Sequence, residues 1–430
     1  MKAPVVKSIA RYFSRRGRTL NFGLVSDPRK HRGRRWSTQS LLMASLVGMM
    51  AMERCFRGIE RVTRDLDGCR RKLDIARRVP DSTLARFFSR LDDEEGLRQV
   101  LVDDIKRAKR RKALEPVTLP ISVLAIDGKT LWTGHEPVDD PACQTQKDDD
   151  ERADYRIHTL HAVVVTAASQ PCIDQLLVPG KTNEMGSLPE FVERLVEAYG
   201  SGSLFEVISV DAGMTSIGNA RMIATAELRY MMALKDNQPT LLAEAKRLCG
   251  WGAHKQAGHR CAASTPWRNY RGSKTRRELF RSNEIRGWPE WESARQVWRV
   301  KQTTKRKNGS VVVENRYFVT SLPHDRLSDF EILELVRLHW GVENGCHWTM
   351  DVILGEDDHP MCTRGKAIRM LSWMRLLAYN MLRGLRDRYL RSPKSRVLPW
   401  KDIKAFITQA LQHPPAWVGL RCTKAEPTTL

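Results

Sequence analysis

The chain has 430 residues, 41% of them hydrophobic, which is enough for two or three domains with real cores. Lys and Arg outnumber Asp and Glu by 72 to 50, and the formal net charge of +22 favours a polyanionic partner such as nucleic acid. No run of 18 apolar residues is present, which argues against a membrane protein, and nine cysteines without a regular framework suit a reducing cytosol.

The N-terminal segment is strongly basic. Residues 1–36 contain eleven Lys and Arg and a single acid, Asp27. The segment lacks the apolar core of a secretory signal, so we expect it to stay attached, either as a solvated tail or as an arm that contacts phosphates. From Thr38 to Lys112 the apolar spacing is helical, and six basic residues in the seven positions 106–112 extend a basic module suited to the DNA backbone.

Beyond two prolines at 116 and 120 the pattern changes to strands and helices in alternation. Helices are predicted at SLPEFVERLVEAYG, where Ser187 and Glu190 form a capping box, and at NARMIATAEL. Three strands, a helix, then strand, helix and strand predict a mixed α/β core. The predicted strands are ISVLAID, HTLHAVVVTAA, CIDQLLVPG, FEVISVDAG and RYMMALK.

Residues 250–322 interrupt this core with a different sequence pattern. VWRVKQTT and VVVENRYFVTSL alternate in polarity around a turn at Asn308–Gly309, which predicts a β-hairpin, and a helix beginning near Ser328 then returns to the core. Five segments are therefore predicted: a basic helical N-terminal DNA-binding domain (1–115), the first part of the core (116–249), a β-rich insertion (250–325), returning helices of the core (326–392) and a C-terminal tail (393–430).

The insertion also contains ligand-type side chains that we do not assign to a metal. Four of them lie within thirteen residues: Cys249, His254, His259 and Cys261. Their spacing fits none of the usual structural zinc patterns. The tryptophans of this region are expected to pack in the core or across strands rather than to stack on bases.

Two of the predicted strands end in an acid followed by small residues: Asp127 precedes Gly128, and Asp211 precedes Ala212. Each acid could simply cap the next turn. However, strand ends of an open α/β sheet are where ligands and catalytic groups collect, and an acid there needs a reason because it buries charge. Three converging carboxylates can hold two divalent cations roughly 4 Å apart, which stabilise the attacking and leaving oxygens of a phosphodiester. Mg²⁺ suits such an all-oxygen ligand set.

The third carboxylate is sought in RLHWGVENGCHWTMDVILGEDD, residues 337–358, which contains five acids. Glu343 is predicted to lie mid-helix between two His-Trp pairs, on a face with large, partly buried side chains. Asp351 lies two turns further on and is roughly aligned with it. The remaining acids are expected beyond the helix end, in solvent: Glu356, Asp357 and Asp358. Its predicted position within the helix therefore favours Glu343 as the third carboxylate.

Five motifs, taken in order, resemble those of the DDE-type insertion-sequence transposases, and most closely the branch known as ISAs or H-repeat-associated. They are LAIDGKTLWTG, KTNEMGSLP, ISVDAGMTS, MALKDNQPTL and HWGVENGCHWTMDVILGED, and the similarity runs from about residue 25 to 390. The resemblance implies an RNase H-like mixed-sheet core, interrupted by the β-rich insertion and preceded by a helical N-terminal domain. It also implies that Asp127, Asp211 and Glu343 form a catalytic, metal-binding triad.

The resemblance further implies a cofactor and partners. The cofactor would be Mg²⁺ or Mn²⁺, as two ions, and the partners would be DNA: the terminal inverted repeats of a mobile element and target DNA. A homodimer or higher oligomer is expected when two ends are paired, with no membrane involved, in the bacterial cytoplasm at the nucleoid. The activity would be cleavage at the element ends followed by strand transfer. An RNase H-like nuclease that cuts without joining and a non-catalytic DNA-binding relic are the alternatives.

The sequence departs from the broader transposase group, which carries Y-x2-R-x3-E-x6-K around the Glu. Here those positions are Val336, His339 and Met350, whereas the HW-x-x-EN-x-x-HW pattern of the nearer branch is kept in full. Candidate replacements for the missing phosphate-binding Arg and Lys are His339, His347 and Lys129. Further candidates for DNA contacts follow the predicted strand MMAL, where a plain polar turn is the alternative: Lys235, Asn237 and Gln238.

Overall fold

The structure is a computed structural model that describes residues 2–16, 19–30, 32, 34–66, 70–147, 153–250, 260–270, 272–357, 361–362 and 364–413. Two compact units are present. The first combines Met1–Ala108, Thr130–Ile157 and Cys346–Leu430, and the second combines Lys109–Lys129 and His158–Gly345. Each unit is thus built from segments that are distant in the sequence, and the five-segment division predicted above stays a prediction.

The first unit is mainly helical. Its helices are α1 (Lys2–Arg16), α2 (Thr38–Met50), α3 (Phe56–Arg64), α4 (Asp81–Phe88), α5 (Glu94–Arg110, whose last residues lie in the second unit), α10 (Gly365–Arg388), α11 (Pro393–Arg396) and α12 (Trp400–Gln412). α2 is almost wholly buried and packs against α3 and α10, which makes it the centre of this core. Among the described residues, no helix is both long enough and apolar enough to cross a bilayer.

Part of the basic N-terminal segment is a packed helix. In α1, Ile9 and Phe13 are buried, and the hydroxyl of Tyr12 donates a hydrogen bond to the carbonyl of Met381 at 2.8 Å. The guanidinium of Arg16 binds the carboxylate of Asp104 at 2.7 Å. One face of this basic helix is therefore committed to the fold, and residues 2–16 are not the solvated tail that the sequence left as one alternative.

The second unit is built on a mixed sheet. Its core elements are β1 (Val123–Gly134), β3 (Ala153–Val164), β4 (Cys172–Leu177), α6 (Glu184–Tyr199), β5 (Val207–Val210), α7 (Ile217–Thr225), β6 (Arg229–Leu234), α8 (Pro239–Leu248) and α9 (Asp329–His339). β1 and β3 also have residues in the first unit, where β2 (Cys143–Lys147) pairs with the start of β3. β5 pairs in parallel with β1 and β6, and β4 is antiparallel to β3. The predicted α/β class and mixed core sheet are confirmed.

The β-rich insertion extends this sheet with antiparallel strands: β7 (Ala263–Ser264), β8 (Arg268–Tyr270), β9 (Ser273–Ser282), β10 (Gln296–Lys305) and β11 (Val311–Thr320). β11 pairs with β6, so the insertion continues the core sheet. β10 and β11 stay in one register from Gln296↔Thr320 to Lys305↔Val311. Gly309 closes the turn with a φ of 81°, a left-handed conformation that favours glycine. The predicted hairpin is confirmed.

The start of α6 differs from the prediction. The helix begins at Glu184, one turn before Ser187, and the side chain of Asn183 caps it by accepting a hydrogen bond from the N–H of Gly186 at 2.9 Å. The predicted capping box at Ser187 is therefore wrong. Asn is as good an N-cap as Ser, and its position lets the helix gain another turn. As a result, Glu184 is the first helical residue.

The acids after Gly355 are not all in solvent. Glu356 is 1% exposed and lies 3.8 Å from the guanidinium of Arg375 on α10, which is 2% exposed. Burial lowers the pKa of Arg375, and the nearby acids, Glu356 first, oppose that change. The expectation of a solvated Glu356 is wrong, because this carboxylate balances a buried cation; Asp357 is exposed, and Asp358 lies outside the described residues.

Breaking this buried pair should destabilise the protein strongly. Glu356→Gln leaves the Arg375 cation in the core with less compensating charge, so we expect the free energy of unfolding to fall by about 3 kcal/mol. The matched control is Asp65→Asn, which breaks a solvent-screened surface pair with Arg64 and should cost much less. Urea denaturation of the three proteins gives both numbers. Equal losses for the two substitutions would contradict the role given to Glu356.

Candidate active site

Two acids lie side by side where the parallel pairing of the core sheet ends. β1 and β5 pair in register up to Ile126↔Val210, so the next matching positions are Asp127, within β1, and Asp211, directly after β5. Parallel strands lie about 4.8 Å apart, which brings the two side chains to the same edge. β1 itself continues to Gly134, and the predicted end of the strand at Asp127 is therefore wrong. Only its pairing with β5 ends there.

Each of these acids also makes the local contact expected of a capping residue. One oxygen of Asp127 accepts a hydrogen bond from the N–H of Gly128 at 3.0 Å, and one oxygen of Asp211 accepts from the N–H of Met214 at 3.3 Å. Asp211 thereby begins the short 3₁₀ turn at residues 212–214. These bonds fix the orientation of the carboxyl groups, and they are compatible with a second ligand on the same groups.

Glu343 lies in a π-helical segment, Val342–His347, that follows α9. One turn earlier, the ring Nδ1 of His339 shares a hydrogen bond of 2.6 Å with the hydroxyl of Ser209 on β5. Both groups are buried, and Ser209 is two residues before Asp211. The bond therefore ties the helical segment of Glu343 to the strand that carries Asp211. π-Helical turns are frequent at functional sites.

The acids of this site perturb one another. Burial raises the pKa of Asp127 to about 7, and the charges of Glu343, Asp211 and Glu184 raise it in that order of size. Glu343 is exposed as a residue, but its carboxyl group is partly shielded from water. This shielding, and then the charge of Asp211, raises the pKa of Glu343 as well. The cations Arg316 and Lys235 act in the opposite direction on Glu343. Several negative charges thus gather here and raise the pKa of one another.

The donor chemistry of the site fits a divalent cation. Carboxylate oxygens are the ligands that Mg²⁺ and Mn²⁺ prefer, and a cation would relieve the repulsion that raises the pKa of Asp127. The ligands are not drawn together in advance: within the part of the chain that the structure describes, no three His, Cys, Asp or Glu side chains form a ready metal-binding group. Asp127, Asp211 and Glu343 are the residues that would hold the ions.

The predicted DNA-contacting residues have different surroundings. Three of them are buried, with exposures of 7% for Lys129, 2% for His339 and 8% for His347, so each is largely enclosed by protein. The amide of Asn237 donates to the carbonyl of Ala212 at 2.7 Å, and the amide of Gln238 donates to the carbonyl of Thr215 at 3.2 Å. These two side chains support the loop after Asp211. Lys235 is exposed beside the site, as a DNA contact requires.

Two charged residues near the site escaped the sequence analysis. Glu184 lies close to Asp127 because α6 begins a turn earlier than predicted. The capping box predicted at Ser187 had left Glu184 outside the helix. Arg316 lies on β11, and its guanidinium is 4.6 Å from the ring centroid of Trp340, three residues before Glu343. The strand pairing that brings β11 beside β6 is non-local, so no local signal could have located Arg316.

The possible zinc ligands of the insertion give no site among the described residues. Cys249 is buried, burial raises the pKa of its thiol to about 12, and its sulfur is 3.8 Å from the carbonyl of Val297. His254 and His259 lie outside the described residues.

Comparison with known proteins identifies the family. The family described as "Transposase DDE domain" matches residues 118–381, more than half of the chain. The chain therefore belongs to the DDE transposases, and the predicted resemblance to the insertion-sequence transposases is confirmed. The match includes all three acids of the candidate site.

The curated relatives that match this chain share limited identity or limited length with it. "Putative protein YbfL" of Escherichia coli K12 is 25% identical over 60% of this chain and 64% of its own length, and "Putative transposase YncI" of E. coli O157:H7 is 24% identical over 50% and 54%. The chain thus covers less than two thirds of either relative. The "H repeat-associated putative transposase YhhI" of E. coli K12 is 37% identical, over 16% of this chain and 17% of its own.

Removing the charge of Asp127 should stabilise the metal-free protein in a pH-dependent way. The folded state holds a proton on Asp127 up to about pH 7, whereas an ordinary Asp ionises near 3.8, so ionisation costs stability increasingly between these two values. In EDTA, Asp127→Asn should therefore melt at a higher temperature than wild type at pH 8, and the gain should vanish towards pH 4.

The exposed Glu290 supplies the control, because Glu290→Gln should leave the melting temperature unchanged at each pH. Saturating Mg²⁺ should shrink the advantage of Asp127→Asn by stabilising the wild type. A gain from Asp127→Asn that is equal at pH 5 and pH 8 would contradict the charge cluster.

Proposed function

We propose that the protein is a DNA transposase that cleaves DNA at the ends of an insertion sequence and joins those ends to target DNA. One observation carries the proposal: Asp127 and Asp211 occupy matching positions on adjacent parallel strands, and both act electrostatically with Glu343. Family membership and a formal charge of +22 give this cluster a DNA substrate. The substrates would be terminal inverted repeats and target DNA, paired by a homodimer or larger oligomer.

The reaction we propose is phosphoryl transfer in two steps. Water attacks the phosphorus at the element end, the bond from phosphorus to the 3′ oxygen breaks, and a 3′-OH is released. That 3′-OH then attacks the phosphorus of a target phosphodiester, and the bond from this phosphorus to the target 3′ oxygen breaks. The element end is thereby joined to the target 5′ phosphate, a target 3′-OH is released, and no covalent enzyme intermediate forms. Two bound Mg²⁺ or Mn²⁺ ions would supply Lewis acidity and neutralise developing charge on the phosphate.

The side chains of the chain have separate tasks in this scheme. Asp127, Asp211 and Glu343 would hold the ions, and the bond between His339 and Ser209 keeps the third carboxylate in line with the second. Burial, and then the charge of Arg316, lowers the pKa of His339 to about 4, so this imidazole stays neutral at physiological pH and adds no charge of its own. The amides of Asn237 and Gln238 hold the loop that follows Asp211.

Arg316 and Lys235 are the residues we propose for binding the phosphates near the cut. Both cations act on Glu343, and Lys235 is exposed. The guanidinium of Arg316 lies over the ring of Trp340, and a guanidinium presents a planar fork of N–H donors that matches a phosphate. They would replace the basic residues of the broader group that are absent at His339 and Met350. The basic N-terminal module would supply further phosphate contacts.

Cleavage should depend on Glu343. With a duplex that carries the repeat flanking the gene, we expect Mg²⁺-dependent cutting by the wild type and a loss of more than about 100-fold in Glu343→Gln, the scale that even an outer-shell residue can reach. The exposed Asp357 is the matched control from the same acidic stretch, and Asp357→Asn should cut normally.

The products of this assay separate the alternatives. Cutting at the repeat boundary with joining to a second duplex is the expected result. Cutting that survives Glu343→Gln would move the third acid elsewhere, and cutting without joining would indicate a nuclease. Tight binding with no cutting by any variant would indicate a DNA-binding relic.

The phosphate role of Arg316 should appear in the salt dependence of DNA binding. Arg316→Ala should weaken binding and reduce the slope of log K against log salt by about one, since one phosphate contact is lost. Arg247→Ala is the control, because Arg247 lies on α8 and pairs with Glu244 at 2.6 Å. Fluorescence anisotropy from low to moderate salt measures both slopes. An unchanged slope for Arg316→Ala would remove this residue from the interface.

A further inference from the structure

Glu184 is an acid whose place in the fold the proposed chemistry has not used. It is the first residue of α6, half-buried, and the helix is already capped by Asn183. An acid in the first turn of a helix gains from the helix dipole wherever its side chain points. That benefit alone does not account for a carboxylate placed close to another carboxylate, which it repels. The charge of Glu184 is among those that act on Asp127.

Gly128 marks where the Glu184 carboxyl group lies. A Cβ built on Gly128 would overlap that carboxyl group, so the side chain of Glu184 reaches over the backbone immediately after Asp127. The φ of Gly128 lies outside the left-handed region, and its conformation is therefore open to any residue. Any larger residue at this position would have to displace the carboxyl end of the Glu184 side chain, which fills the space beside Gly128. The two residues come from separate segments that the sheet and α6 bring together.

We propose that Glu184 is a fourth metal-binding carboxylate of this site, acting with Asp127 on the same divalent cation. The inference rests on the proposed function, because it assumes that the acids hold metal. Three carboxylates leave two divalent cations with a surplus positive charge, and a fourth brings the sum to neutrality. Gly128 would then serve the site by leaving room for this ligand.

Metal binding by the full chain, without DNA, tests the proposal apart from catalysis. Calorimetric titration with Mn²⁺ should show an affinity about 10-fold or more lower in Glu184→Gln than in wild type. Glu184→Asp keeps the charge on a shorter side chain and should fall between them. Glu193→Gln changes an exposed acid on the same helix and should bind as wild type does. Melting temperatures in EDTA show whether each variant is folded.

The substitution Gly128→Ala provides an independent test, because it changes none of the acidic side chains. The added methyl group should push the Glu184 carboxyl group aside and weaken Mn²⁺ binding to a similar extent. In a Glu184→Gln background the same change should have little further effect, because the ligand that it displaces is already gone. Strong non-additivity of the two changes is the expected result.

The outcomes distinguish this proposal from the function on which it rests. If Asp127→Asn and Glu343→Gln lose Mn²⁺ while Glu184→Gln binds as wild type does, Glu184 is no ligand and the proposed function stands. If Glu184→Gln lowers only the melting temperature in EDTA, its role is at the helix end and the proposal is overturned. If none of the four acids affects Mn²⁺ binding, both ideas fail. Full additivity with Gly128→Ala would show that Gly128 acts independently of Glu184, which overturns their proposed link.

Discussion

Repulsion between carboxylates that cannot move apart is the constraint on which this site depends. Asp127 and Asp211 each directly follow a wholly buried residue, Ile126 and Val210, and these two residues are paired across adjacent parallel strands. In water such acids would separate or be screened by solvent. In the middle of a sheet, strand pairing fixes their distance and burial reduces the screening. The fold therefore maintains an arrangement that is unfavourable by itself and becomes favourable when a cation enters.

The surroundings of the acids hold this arrangement without cancelling it. Neutral groups are among the contacts that fix them: backbone N–H groups bind Asp127 and Asp211, and a neutral imidazole with a serine holds the segment of Glu343. The nearby cations act on Glu343 and approach from the β11 side and from the end of β6. Elsewhere the protein treats a buried charge differently, since Glu356 is matched directly by Arg375. The described core thus pairs one acid with a cation, whereas the candidate site brings several acids together.

The sequence predicted those parts of the molecule that local patterns determine. Apolar runs identified the core strands, alternation with Asn308–Gly309 identified the hairpin, and the returning helix begins with the Ser328 cap as expected. Errors arose where two signals competed. Asn183 and Ser187 are both good caps, and Asp127 resembles a strand end although β1 continues through it. The roles of Glu184 and Arg316 depend on contacts between distant segments, which periodicity does not encode.

The hairpin of β10 and β11 limits how this sequence can change. Its pairing runs without a bulge from Gln296 to Lys305, and side chains on a strand alternate between the two faces of a sheet. A single residue inserted in β11 after Val313 would either create a bulge or turn Arg316 to the opposite face, away from Trp340. Two inserted residues would preserve the alternation. Insertions and deletions tolerated within this strand should therefore occur in even numbers, whereas the turn at 306–310 is free to vary in length.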